Sequence, residues 1–419
     1  MAAPETAAVA PPAPPGPSRH PALLVALLLV TAVTVWHALE SSQHLLTDRD
    51  PGVYNTSARW LAREGTLLVD PAIGPFADRP GLTFEEQGWN LDDDGRLEPQ
   101  FLHLLPVVLA GAQVVGGDRL LLLAPAAIAG GALLAVFAFA TRVVRPWWAL
   151  LATAGLASSL PWVHLSRDAF SEPLAALLLF AGLTVLWDAT VGGSWRRALV
   201  AGLLLGGVSM ARVEGFVALL PLVASCSVVL ARAQRRDLAG RRTAVGQVGA
   251  LVVGAAVTTS VAVADLVLFG SWYLDDLGGL LRLVAAGLVL VLVLGSAAIA
   301  VASRRARRRP DEAAAFGDRH VEASGWAAAG GVLAVAGAAW FVRPLVTTVT
   351  GAPSAAIAAL EAQEGRVAEG VRRYSEHSVQ WLGWYLGPLV LALGFAGLAL
   401  VVRRLVVCLL YTSPSPRDS

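Results

Sequence analysis

Lysine is missing from this chain of 419 residues, so every one of its 32 basic positions is an arginine. Charge of either sign is scarce at 15%, whereas soluble domains carry roughly 25% charged residues. That shortage excludes a string of soluble domains. The formal net charge of +1 is too small for a nucleic-acid-binding surface, and the arginines fall in short clusters between apolar runs. Two cysteines, Cys226 and Cys408, both lie in apolar stretches and supply neither a disulfide framework nor a metal-ligand spacing. What fills the chain is apolar, at 56% of residues and a mean hydropathy of +0.62. The fold class expected is all-α, a polytopic membrane bundle of about ten spans with a first outer loop bearing juxtamembrane helices.

Residues 1–20 are rich in Ala and Pro and read as a disordered cytoplasmic tail. Residues 21–39 form a first span without a small-residue cleavage pattern after it, so a retained anchor is expected rather than a signal peptide. Residues 21–404 make the membrane domain, and 40–118 its first outer loop. Apolar runs recur at 120–140, 147–164, 170–187, 198–211, 215–230, 245–269, 280–302, 325–342 and 379–402. The arginine clusters at 142 and 145, 196–197, 232–242, 304–309 and 403–404 follow alternate runs, which puts them all on the cytoplasmic side. The apolar stretch 101–115 would reverse that parity if it crossed. Its 15 residues reach about 22 Å of a roughly 30 Å core, so it is assigned to the interface. Residues 405–419 resemble the spurious endings of truncated reading frames, and the native chain is expected to be longer. Residues 343–378 carry Glu and Arg at helical spacing and read as a surface helix.

On this topology the ionisable residues that break the apolar pattern gather on the outer side. They are Asp48 and Asp50 after the first span, His103, the run His164, Arg167, Asp168 and Glu172, the pair Arg212 and Glu214, then Asp275, Asp276 and Arg343. Arginine there runs against the bias that orients the helices, and an ionisable group at a helix mouth is a functional candidate. Guanidinium suits a phosphate diester. Each residue also has a structural reading. Asp50 before Pro51 is a good helix start, with Tyr54, Ala58, Leu61, Ala62 and Gly65 forming an apolar face on the bilayer surface. The arginines can snorkel or pair with Glu172 and Glu214. His103 can be a satisfied interfacial histidine, and residues 92–95 a solvated turn. Asp48-x-Asp50 also fits the metal-diphosphate motif of nucleotide-sugar transferases, but the chain has no soluble α/β domain to hold a nucleotide.

The order Asp50, Tyr54, Ala58, Gly65; then Pro99, His103, Pro106; then Ser166-Arg167 with Glu172; then Ala211-Arg212-Val213-Glu214-Gly215 resembles the integral-membrane glycosyltransferases of the GT-C fold. The closest likeness is to the family 39 branch of protein mannosyltransferases and aminoarabinose transferases. It spans residues 21–230 in order. The resemblance implies transfer of a sugar from a polyprenyl-phosphate donor to an extracytoplasmic glycan, lipid or protein acceptor, in the cytoplasmic membrane of a bacterium, with the N-terminus in the cytoplasm and no nucleic-acid partner. It implies Asp50 as catalytic base. Arg167, Arg212 and Arg343 would bind the donor phosphate, with Asp48, Tyr54, His103, Asp168, Glu172 and Glu214 in support. Pro51 stands where the family usually has a second acid, so a divalent metal is compatible with the sequence but not implied, and its ligands are unassigned. A transporter or flippase of lipid-linked sugars, or a non-catalytic membrane scaffold, are the alternatives.

Overall fold

The computed structural model of the chain describes residues 21–42, 50–70, 88–92, 94–233 and 238–270, with shorter stretches within 273–297, 325–342 and 382–410. These residues are almost entirely helical, as the composition requires. Four helices are long and apolar enough to cross a membrane: Pro21–Leu39, Leu104–Val143, Ser171–Gly192 and the apolar part Gly240–Phe269 of a longer helix. The chain is therefore a helical protein with the features of a membrane bundle.

In chain order the elements are α1 (Pro21–Leu39), α2 (Asp50–Glu64), β1 (Trp89–Leu91), β2 (Leu97–Pro99), α3 (Leu104–Val143), α4 (Pro146–Ala157), α5 (Leu160–Leu165), α6 (Ser171–Gly192), α7 (Trp195–Ala211), a 3-10 turn (Val213–Ala218), α8 (Leu219–Ala233) and α9 (Leu238–Phe269). Among the described residues the last helix is Pro388–Leu410. The hairpin β1–β2 qualifies the all-α expectation. Its residues pair antiparallel as Trp89 with Pro99 and Leu91 with Leu97. The acidic turn makes the hairpin: Asp92 Oδ1 accepts from the backbone N–H of Arg96 at 2.7 Å and of Asp94 at 3.0 Å, and Gly95 takes the left-handed conformation at φ 79°. These bonds, the backbone N–H of Arg96 first and its guanidinium after it, hold the half-buried Asp92 carboxyl below the usual carboxylate range.

The apolar stretch assigned to the interface, 101–115, is set off from the span after it: α3 consists of two helical pieces that meet at Gly116 and Gly117, the latter with φ 61° and ψ −160°, a conformation that a side chain would oppose, and residues 101–103 precede the first piece. The expected single run 147–164 is split into α4 and α5 by Ser158 and Ser159, with Pro161 in the first turn of α5 because a proline there removes no helical hydrogen bond. The apolar face of α2 is also placed differently from the expectation. Tyr54, Ala58, Leu61 and Ala62 pack on Leu105, Leu109 and Leu121 of α3 rather than facing lipid.

Without a hydrophobic force between helices in lipid, association rests on close packing. The tightest crossing is α7 on α9. A Cβ on Gly202 or Gly206 would collide with the backbone of Leu251 or Ala255, and one on Gly254 with Leu199. Gly202 and Gly206 are four apart, the spacing that lets helix backbones approach. On either side, α6 and α8 complete a core of Leu186, Ala201, Leu205, Leu222 and Leu251.

The polar contacts segregate to two ends. At one, Arg142 at the end of α3 pairs with Asp188 near the end of α6, with Nη2 to Oδ2 at 2.9 Å and Nε to Oδ1 at 3.2 Å. Gln247 of α9 donates to the carbonyl of Ala189 close by in the chain, at 2.8 Å. The other end carries α2, the hairpin and those candidate residues that are described.

Candidate functional site

The site is built where α2 leans across the starts of α3 and α6 and the end of α7. Asp50 opens α2, and Tyr54 follows one turn later on the same face. The Tyr54 hydroxyl donates to Ser171 Oγ at 3.2 Å, at the start of α6. Arg212, just past the end of α7, donates to the same Ser171 Oγ through Nη1 at 3.2 Å. Its Nη1 also lies 2.7 Å from Glu172 Oε1, and its Nε 3.2 Å from Glu214 Oε2. Four elements are thus joined through one hydroxyl and one guanidinium.

Electrostatics follow from burial. Tyr54 is 3% exposed, and burial pushes its phenol well above the usual tyrosine range. The hydrogen bond to Ser171 and the positive Arg212 work against that shift, while Asp50 and Glu172 add to it. Tyr54 therefore stays a neutral donor. Burial opposes the charge of Arg212, but Glu172 and then Glu214 override it and hold the guanidinium above its usual range. Arg212 is consequently a fixed cation, already shared between two carboxylates.

Arg167 is in a different setting. Its guanidinium stacks 4.6 Å from the ring centre of Trp36 in α1. Its carbonyl accepts from the backbone N–H of Ser42 at 2.8 Å, and its Nε is buried without a hydrogen-bond partner. No carboxylate among the described residues pairs with it. Beneath it, His37 is buried and its Nδ1 lies 2.6 Å from Ser166 Oγ. Asp168 is buried, and its Oδ1 accepts from the N–H of Ala169 at 2.8 Å.

His103 sits apart from both groups. It precedes α3 and is 4% exposed. Asp265 of α9 holds it at two points, with Oδ2 accepting the backbone N–H at 3.0 Å and Oδ1 facing Nδ1 at 2.7 Å. Close by in the chain, Glu98 in β2 is buried. Burial pushes its carboxyl up; nearby His103 works against this and Asp92 adds to it. The sign is clear. A carboxyl raised in the folded state favours folding most below its unfolded value of about 4.5, and that stability is lost as pH rises through the folded value. Glu98→Gln is therefore expected to raise the thermal midpoint at about pH 7.5 and leave it unchanged near pH 4, as thermal unfolding at the two pH values would record.

The structure thus brings together Asp50, Tyr54, Glu172, Arg212 and Glu214, places Arg167 and Asp168 on the neighbouring α5–α6 connection, and puts His103 against α9. Asp48, Arg343, Asp275, Asp276 and the expected surface helix at 343–378 lie outside the described residues. Three residues of this end escaped the sequence reading. Ser171 is a common residue at a helix start and carries no signal. Asp265 is a lone acid inside an apolar run, and that is the signal that marks it. Trp36 is marked only as an aromatic near the end of a span.

No protein-family model and no curated protein matches this chain. The site must therefore be read from its own chemistry. Among the described residues no group of three or more His, Cys, Asp or Glu is arranged to hold a metal ion.

Proposed function

We propose that this chain is a membrane glycosyltransferase of GT-C type, with about ten spans, which moves a sugar from a polyprenyl-phosphate donor to an extracytoplasmic acceptor hydroxyl with inversion. The observation that carries this reading is the line from Asp50 through Tyr54 and Ser171 to Arg212, which sets a carboxylate and a fixed cation around one end of an apolar bundle. In the proposed step the acceptor oxygen bonds to the anomeric carbon and its proton passes to Asp50. The bond from that carbon to the phosphate oxygen breaks, and the electron pair leaves on the phosphate. A phosphate leaving group needs cationic stabilisation more than a proton, which an arginine at this end can supply.

The arginines divide the work. Arg212, neutralised by Glu172 and Glu214, holds α6 and α7 in register beneath α2. Arg167 has no carboxylate partner among the described residues, and its stacking on Trp36 fixes it near the end of a span, so it is the better ligand for a lipid phosphate. The test is transfer of radiolabel from a polyprenyl-phosphate sugar to acceptor by the purified chain. The orientation has its own check. In a chain with Cys226 and Cys408 changed to Ser, Asn90→Cys is expected to react with an impermeant thiol reagent in intact cells, since β1 lies on the external loop. Protection until the cells are permeabilised would reverse the topology.

A further inference from the structure

The end of the bundle away from the candidate site, where Arg142 pairs with Asp188, carries charge that the transfer step does not use. That pair neutralises itself. Past it the chain turns from α3 into α4 at Arg145, and from α6 into α7 just before Arg196 and Arg197. All three of these arginines are exposed, and Asp188 is the one acid among the described residues of the two turns. Indole rings accompany them. Trp147 and Trp148 stand in the first turn of α4, 50% and 64% exposed, and Trp195 opens α7 at 54%. The Arg196 guanidinium lies 5.6 Å from the ring centre of Trp195. Next to the rings the surface is aliphatic. Leu151, three residues on from Trp148 and so on the same side of α4, is exposed, as are Val191 near the end of α6 and Val200 in α7. Guanidinium, then indole, then bare aliphatic surface follows the order of headgroup, interface and acyl chain in a leaflet.

We propose that Arg145, Arg196 and Arg197, with Trp147, Trp148 and Trp195, form a binding surface for the headgroup of an anionic phospholipid. Three features select that partner. The charge of the two turns is positive and unmatched, and a guanidinium fork fits the two free oxygens of a phosphate diester. A zwitterionic headgroup brings its own ammonium to that phosphate and gains less from the arginines. The indoles sit at the depth where an N–H can donate to glycerol ester carbonyls while the ring stays in an apolar layer. A soluble acidic protein could meet the arginines but would leave the aliphatic surface at Leu151, Val191 and Val200 uncovered, whereas acyl chains cover it. Bound lipid touches none of the residues assigned to transfer, so this inference stands or falls apart from the glycosyl-transfer reading.

The test is native mass spectrometry of the full chain in an uncharged detergent, titrated with phosphatidylglycerol or with phosphatidylcholine of the same acyl chains. The wild type is expected to hold phosphatidylglycerol at least about tenfold more tightly, and raised ammonium acetate to reduce that preference. Arg145→Gln together with Arg197→Gln is expected to remove most of it. Each single variant is expected to remove part, which keeps the test available if the double variant does not fold. Arg63→Gln together with Arg119→Gln takes the same charge from exposed positions at the other end and is expected to leave the preference intact. Equal affinity of the wild type for the two lipids overturns the site. Equal loss from the two double variants also overturns it, because net charge alone would then account for the binding. So does an undiminished preference in the folded single and double variants at Arg145 and Arg197. Tight binding of soluble poly-glutamate, with no preference between the lipids, would give the arginines to an acidic protein instead.

Discussion

Asp50→Asn is expected to lower sugar transfer by about 100-fold or more, the usual contribution of a positioned general base, which corresponds to about 2.7 kcal/mol of barrier. The substitution is chosen to separate two roles that the residue combines. Asp50 is an acid in the first turn of α2 and is followed by Pro51, a placement that favours the helix start through the helix dipole whether or not the residue does chemistry. Asparagine is nearly as good at a helix start as aspartate, and the packing of Tyr54 and Ala58 on α3 is untouched by it. Thermal unfolding should therefore be close to wild type while transfer collapses. If Asp50→Asn transfers label at the wild-type rate, Asp50 is only a cap and the base must be sought elsewhere. A chain serving as a scaffold would show that second result.

Gly202→Val is expected to prevent α7 from seating on α9 and to give an aggregated or polydisperse protein in size-exclusion chromatography. Overpacking costs about 1–3 kcal/mol when side chains can shift. Here the obstruction is the backbone of Leu251 and Ala255, which cannot rotate aside, so the penalty should be at the top of that range or beyond. Arg212 follows directly on α7, so displacement of this helix would also carry the guanidinium away from Ser171 and Glu172. Gly246→Val provides the control. It lies in the partner helix α9, where an added Cβ meets nothing within 4 Å. Equal damage from both substitutions would mean that valine harms α9 and α7 for some general reason and that close approach at Gly202 is not what holds the pair.

Some of this is legible in the amino-acid sequence. Hydropathy located the helices because only a helix or closed barrel satisfies its backbone in lipid. The alternation of arginine clusters sorted the polar residues to two ends, and the described contacts keep that sorting: Arg142 with Asp188 at one end, Arg212 with Glu172 and Glu214 at the other. The turn at residues 92–95 announced itself through three acids and a glycine. So did the break at Gly116 and Gly117, where Gly-Gly-Asp-Arg parts the apolar stretches 101–115 and 120–140. The break at Ser158 did not, since two serines leave the run 147–164 whole in a hydropathy window.

By itself the sequence determined that this is a helical chain with spans for a membrane, where its ionisable residues interrupt those spans, and that Asp50 begins a helix. The tertiary structure alone decided which of these residues meet. α6 and α9 are apolar nearly all round, so no amphipathic face announces the side that each turns inward. Helix rotation and crossing are set instead by close packing of small residues such as Gly202 and Gly254. Those crossings bring Ser171 under Tyr54, close Arg212 onto two carboxylates and leave Arg167 on Trp36. They also carry Asp265 to His103, 162 positions away in the chain, a pairing that helical periodicity cannot specify because it depends on the distance between two axes.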